Sequence, residues 1–194
     1  MADSRKRSNV LVGAPDVQAS GGALIGPPAT ETANHPTDAT TALKSELDLK
    51  PAGYVSNEGV TKTVDRETTD IDDWNGDDIV TVQSKHSVTL KTTFMEAANM
   101  EVLKMIAGEE NVTEAGGKIK VVDNANELPH RAMVFEMKGS AGKKVRVFAP
   151  DAQVTNVGDV KFVRNDVIKY EATIKCFTDA DGNKLYSFFN VGEE

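Results

Sequence analysis

From Ile79 to Phe94 the chain alternates in character at nearly every step. The odd positions Thr81, Gln83, Lys85, Ser87, Thr89, Lys91 and Thr93 are polar, while the even ones include Val80, Val82, Val88, Leu90 and Phe94. Period two marks a strand with one buried and one wet face. At about 3.3 Å per residue such a strand would run roughly 50 Å, well beyond the ordinary five or six residues. Ser84 and His86 interrupt the apolar face, which leaves room for a bend or a hairpin tip there. An ordinary sandwich with one solvent-facing side also accounts for the alternation.

The same period recurs downstream. Met133, Phe135 and Met137 alternate with Val134 and Glu136, and Gly139 to Gly142 supplies a turn before Val145, Val147 and Ala149. Ile168, Tyr170, Ala172, Ile174 and Cys176 form one face of a further strand against Lys169, Glu171, Thr173 and Lys175. The sequence Asp179-Ala-Asp-Gly-Asn183 then predicts a hairpin turn into Leu185–Phe189. One helix is predicted over residues 96–107: Val102, Leu103 and Ile106, with Met95 or Met100, share a face, Asn99 or a neighbour caps the start, and Gly108 suits a left-handed position past the end. Its stripe packs on a sheet, with the methionines as gap fillers. The expected fold is mainly β, an antiparallel β-sandwich or barrel with one flanking α-helix and extended arms. Two regions are expected: an N-terminal arm over residues 1–50 and a β-domain over 51–194, the latter including an arm at 61–85.

That second arm follows a short strand at Tyr54 and Val55. It carries Asp65, Glu67, Asp70, Asp72, Asp73, Asp77 and Asp78 against Lys62, Arg66 and Lys85, with the single tryptophan, Trp74, then Asn75 and Gly76. So acidic a segment cannot bury itself. A tryptophan beside it would bury about 200 Å² on finding a partner, and the residue is enriched as an interface anchor. Packing of Trp74 against its own domain is the alternative. The carboxylates at 70–78 lack the order and closing glutamate of a calcium loop; Asp179, Asp181 and Asn183 come nearer, but a plain turn explains them. The histidines, His35, His86 and His130, have no neighbouring nucleophile pattern. Cys176 sits on an apolar face and reads as an inert thiol. With no glycine-rich phosphate loop, neither an enzyme nor a cofactor or metal is expected.

The first fifty residues differ in composition. Arg5, Lys6 and Arg7 open them, glycines and prolines punctuate 21–28, and a threonine-rich stretch surrounds Pro36. Val10–Val12 and Ala23–Ile25 suggest short strands, and Thr41–Leu47 one or two helical turns. So little apolar surface does not order itself alone. The basic triplet is too short for a nucleic-acid site; either a cationic arm docking on an acidic neighbour or a frayed terminus accounts for it. No apolar run follows that would make a signal peptide, and none approaches a membrane span. A lone cysteine excludes an internal disulfide, and a cytoplasmic site of synthesis is expected. At 194 residues and 39% hydrophobic content the chain can build a single core. Its formal net charge is -8.

Three stretches together resemble the major tail proteins of long-tailed, non-contractile bacteriophages, especially those infecting actinobacteria. They are GYVSNEGVTKTVDRETTDIDDWNGDDIVTVQ (53–83), TFMEAANMEVLKMIAG (93–108) and VIKYEATIKCFTDADGNKLYSFF (167–189). An upstream Pro36-Thr-Asp38 segment and the DxxGN turn fit the same order, and the likeness spans roughly residues 10 to 190. The resemblance implies a subunit that forms hexameric rings stacked into a hollow tail tube, the conduit for genome delivery, on a fold shared with contractile and type VI secretion tubes.

It further implies that the acidic arm, with Asp65, Glu67, Asp70, Asp72, Asp73, Trp74 and Asn75, reaches a neighbouring subunit, and that Arg5, Lys6 and Arg7 lie in a second inter-subunit arm. Thr81, Gln83, Thr89, Lys91 and Glu171 are the candidate lumen-facing residues. Implied partners are further copies of the chain, a tape measure protein, a tail terminator and distal tail or baseplate proteins. Double-stranded DNA would pass without sequence-specific binding, in a virion assembled in the host cytoplasm and with no membrane insertion by this chain. Six copies would carry about 48 negative charges per ring, and an acidic wall would repel DNA rather than hold it. Lys85 and Lys91 run against that sign, and Asp65, Glu67 and Glu171 are the available counter-charges. The alternatives are a soluble β-sandwich surface-recognition module, which the 6% aromatic content disfavours, and a tail-terminator or capsid decoration protein.

Overall fold

The computed structural model describes Lys6 and residues 9–17, 21–139 and 142–191. Arg5 and Arg7 lie outside the described residues, as do Ser140 and Ala141 in the turn after Gly139. The architecture is mainly β and antiparallel, with the helix against the sheet. Strands β1 (Ala14–Pro15), β2 (Ala23–Gly26), β3 (Lys50–Pro51), β4 (Val55–Asp72) and β5 (Asp78–Phe94) precede helix α1 (Met100–Ala107). After it come β6 (Val112–Ala115), β7 (Lys118–Val121), β8 (Arg131–Lys138), β9 (Lys144–Val157), β10 (Tyr170–Cys176) and β11 (Tyr186–Asn190). The main sheet runs β3-β2-β8-β9-β10-β5-β4, with β1 on β8 and β11 on β9; β6 and β7 form a separate hairpin.

The sheet is curled around its core. Ile25 of β2 and Leu90 and Phe94 of β5 stand far apart in strand order, yet they share one buried cluster with Met133, Ile174 and, from the helix, Val102 and Met105. The alternation in β10 places Ala172, Ile174 and Cys176 in that cluster and leaves Glu171 and Lys175 exposed. Strand β8 is apolar on consecutive positions because both of its faces are covered. Met133 and Phe135 enter the main cluster, while Ala132 and Val134 join Leu24, Leu47 and Phe148 in a second one on the other side.

Residues 29–47 cover that second face, with Ala29, Leu43 and Leu47 packed in the cluster. His35 is buried between the rings of Phe148 and Tyr186, at 5.0 and 5.7 Å. The Arg146 guanidinium donates to the carbonyls of Asp38 and Thr41, both at 2.8 Å. Together with β2, placed inside the sheet, these contacts tie residues 21–50 to the core of the single chain. A polar, threonine-rich segment is held because a buried charge supplies the hydrogen bonds its backbone needs.

Three expectations change. The helix begins at Met100 rather than residue 96: Asn99 is its N-cap, accepting from the backbone N–H of Glu101 and Val102 at 3.1 and 3.3 Å. Gly108 closes it with a positive φ of 102° but an extended ψ of 144°, so it is not the left-handed helical cap. The turn at 179–183 is not a hairpin turn. Strands β10 and β11 do not pair with each other; they follow one another along the same edge of β9, at Ala152–Val157 and then at Lys144–Phe148. Asp179 explains the detour. Its backbone N–H donates to Asn183 O, its carboxylate accepts from the N–H of Asp181 and Asn183, and its other oxygen accepts from Tyr186 Oη at 2.6 Å.

Candidate assembly surface

The arm expected at 61–85 is a two-stranded antiparallel ribbon, not a loop. Strands β4 and β5 together take in all of the supposed arm except the tip at 73–77; β4 runs 18 residues and pairs with the 17 residues of β5. Only residues 88–94 of β5 also touch β10. Beyond them the ribbon leaves the body of the domain, and every residue from Thr61 to Asp72 and from Gly76 to Lys85 is exposed. The alternation that would fit a half-buried strand here faces water on both sides. The outer edge of β4 has no partner strand among the described residues.

Side chains tie the two strands of the ribbon together. Lys85 Nζ meets Glu67 Oε1 at 2.6 Å, Arg66 donates to Gln83 Oε1 at 2.7 Å and Thr81 Oγ1 to Asp70 Oδ1 at 2.6 Å. The carboxylate of Glu67, by hydrogen bond and charge, pushes the Lys85 ammonium above its ordinary pKa. At the tip, Asp73 Oδ1 accepts from the N–H of Asn75 at 2.7 Å and of Asp77 at 3.0 Å, and Asp73 N–H donates to Asp77 O. Those donors hold the Asp73 carboxyl below its ordinary value, the Asp77 N–H most of all. The turn therefore presents Trp74 entirely to solvent, at 104% relative exposure. The side chains of Asp72, Asp77 and Asp78 around it have no hydrogen-bond or ion-pair partner among the described residues.

A bulge divides the ribbon. Glu67 opposes Lys85, but Thr68 opposes Gln83, so Ser84 is one residue in excess. An extra residue on one strand shifts that strand's alternation by one beyond it, while the partner strand keeps its own. Near the body, Val88 and Leu90 face the core while Lys85, Ser87, Thr89 and Lys91 face out. Past Ser84 the outward side continues as Val82 and Val80, with Thr69 and Ile71 opposite them. Thr81 and Gln83 lie on the other side, which is why Gln83 meets Arg66. The five candidate lumen residues therefore do not form one face. Thr89, Lys91 and Glu171 do share one: Lys91 Nζ and Glu171 Oε1 are 2.6 Å apart, a contact that raises the Lys91 pKa. Thr81 and Gln83 belong to the opposite side of the ribbon.

Other singled-out residues are structural. Cys176 is fully buried, and burial pushes its thiol up to about 12. His130 Nδ1 contacts Asp151 Oδ1 at 2.6 Å beside the Phe177 ring, while His86 sits on the ribbon with its pKa lowered by partial burial and by Arg66 and Lys184. Among the described residues there is no cluster of three or more metal-binding side chains and no helix long and apolar enough to cross a membrane. Sequence reasoning missed the buried pair Arg146–Glu136, although charged residues inside apolar strands were a visible signal. It also passed over the β9–β10 loop, where Phe162 is 80% exposed between Lys161 and Arg164; a phenylalanine in a turn-rich stretch was the available sign.

The chain belongs to the phage tail tube protein family, whose model matches residues 17–192. It is thus a structural phage protein of β-rich fold and a virion component by family. No curated protein matches the chain. Among solved structures it is similar to the tube-terminating cap of the anti-feeding prophage, at 9% identity and TM-score 0.47, covering 98% of this chain and 100% of that one. It is similar also to a chain of the sheath-tube complex of the PVC extracellular contractile injection system, at 12% identity and TM-score 0.44, with coverage of 95% and 98%. A sheath/tube terminator of the same system gives 10% identity and TM-score 0.44, covering 86% of this chain and 92% of that one.

Proposed function

We propose that this chain polymerises as stacked hexameric rings into the hollow tail tube of a long-tailed, non-contractile phage and so forms the conduit for its genome. The observation that carries the reading, beside the family, is the ribbon: two strands exposed on both faces, ending in a bare tryptophan and bordered by an unpaired edge. Long free edges invite another chain, and proteins that stay monomeric blunt or cover them. Here the edge is a means of joining subunits, by extending one sheet with the next.

The face with Thr89, Lys91 and Glu171 lines the bore in this reading. Lys91 is neutralised there by Glu171, and the ring as a whole remains acidic, so duplex DNA passes without being held. Tape measure, terminator and distal tail proteins would meet the tube along its bore and at its ends. Residues 61–85, with Asp65, Glu67, Asp70, Asp72, Asp73, Trp74 and Asn75, form the inter-subunit arm, and the segment around Lys6 provides a second contact.

The purified protein should form tubes with a bore of duplex width in electron micrographs. Trp74→Ala touches nothing within the subunit, so the monomer's circular dichroism and unfolding should stay within about 0.5 kcal/mol of wild type while tubes disappear. Normal polymerisation of that variant would show that the ribbon has another role.

A further inference from the structure

Among the described residues the large apolar side chain most exposed after Trp74 is Phe162, in the β9–β10 loop (residues 158–169), where the flanking charges have the opposite sign. Phe162 is 80% exposed, with Val163 and Val167 at 49% and 48%. Lys169 is engaged by Asp166 at 2.9 Å, but Lys161 and Arg164 make no hydrogen bond or ion pair among the described residues. The ribbon tip offers the complement: one bare aromatic ring flanked by Asp72, Asp77 and Asp78, also unpaired.

The two features cannot meet within one subunit. Tyr170, where the loop ends, pairs with Phe94 at the inner end of β5, while Trp74 lies past the outer end at Asp78. The intervening strand holds them about 50 Å apart along its length. Complementary patches at opposite ends of one element make a head-to-tail contact, which either closes into a ring or propagates as an open stack and does not stop at a pair.

We propose that the loop 158–169 is the receiving site for the ribbon tip of a second copy. Trp74 packs on Phe162 and Val163, and the tip carboxylates pair with Lys161 and Arg164, so that the contact joins one ring to the next. This rests on the tube reading and names the surface that receives the arm. Tryptophan and arginine are among the residues enriched at interface hot spots, and opposite charges fix the register of the contact.

The test uses the full-length protein, with wild-type tube formation verified first; absence of wild-type tubes would overturn the tube reading itself. Phe162→Ser and the double reversal Lys161→Glu/Arg164→Glu should each raise the critical concentration for tube growth by at least about tenfold, as loss of a hot-spot anchor does, with monomer melting unchanged. Combining the double reversal with Asp77→Lys/Asp78→Lys should restore growth, and raised salt should weaken wild-type stacking. Trp74→Cys paired with Phe162→Cys should give, on mild oxidation, an open-ended ladder of cross-linked chains. Tubes that grow normally with the reversed loop, or a cysteine pair that links chains only into closed rings or not at all, would overturn the assignment.

Discussion

Replacing Arg146 with methionine tests whether the N-terminal segment is part of the subunit's own core. Arg146 and Glu136 are a buried pair, their side chains 5% and 9% exposed, with Arg146 Nε donating to Glu136 Oε1 at 2.9 Å. The same guanidinium holds the carbonyls of Asp38 and Thr41. Methionine fills much of the volume but leaves a carboxylate unpaired in a dry site and two carbonyls without their donor. Removing one partner of a buried ion pair costs about 3–5 kcal/mol. For a chain of this size each kcal/mol lowers Tm by about 2–4 °C, so a drop of roughly 6–20 °C is expected. Urea unfolding and thermal melts of the unassembled protein measure it. Limited trypsin digestion supplies a local readout, because Lys44 follows the segment that Arg146 anchors and should be cleaved faster in the variant. Adding Glu136→Leu should recover part of the loss, since an apolar replacement of the whole pair removes the stranded charge. A loss below about 1 kcal/mol, or a double variant worse than the sum of the singles, would refute the reasoning.

Asn99→Ala removes the N-cap of α1 and should cost about 1 kcal/mol, read from urea midpoints with the helical signal at 222 nm. Burial alone would raise the Asp179 pKa, but hydrogen bonds from Tyr186 Oη and from the N–H of Asn183 and Asp181 outweigh it and hold the carboxyl below its ordinary 3.8. A depressed folded-state pKa stabilises above the unfolded value and is lost as pH falls through the folded one. The stability difference between wild type and Asp179→Asn should therefore be fully present at neutral pH and shrink only below about pH 4; a difference that grows on acidification would contradict this.

How far the fold could be read depended on whether water or protein covered each face. In β10 one side is buried and the other wet, so Tyr170 to Cys176 announced themselves by alternation. Strand β8 was recognisable, but the cover on its second face was not, because residues 29–47 are held by Arg146 and His35 rather than by an apolar stripe of their own. The β6–β7 hairpin was overlooked even though Gly116 and Gly117, both at positive φ, form the glycine pair that tight hairpin turns favour. The tryptophan and its acidic flank stood out as composition, but the strand pairing that carries them did not: polar residues such as Thr61, Thr63, Thr68 and Thr69 look like a loop until they meet a partner strand. Ser84 was noticed as a break in the pattern, and it proved to mark a change of side rather than a bend or a hairpin tip.

That surplus serine, with Ile79 surplus again near the tip, sets which side each residue of the outer strand takes. Deleting the serine would leave Lys85 and Gln83 as neighbours opposite Glu67 and Thr68, a plain ladder with the same residues on the same sides, whereas drawing it into the ladder would slip the outer strand by one residue and swap which neighbour sees valines and which sees hydroxyls. Pairwise length changes would conserve the phase. Related chains that keep the same contacts should therefore differ in this limb by matched additions on its two strands, or by the presence or absence of this one bulged residue.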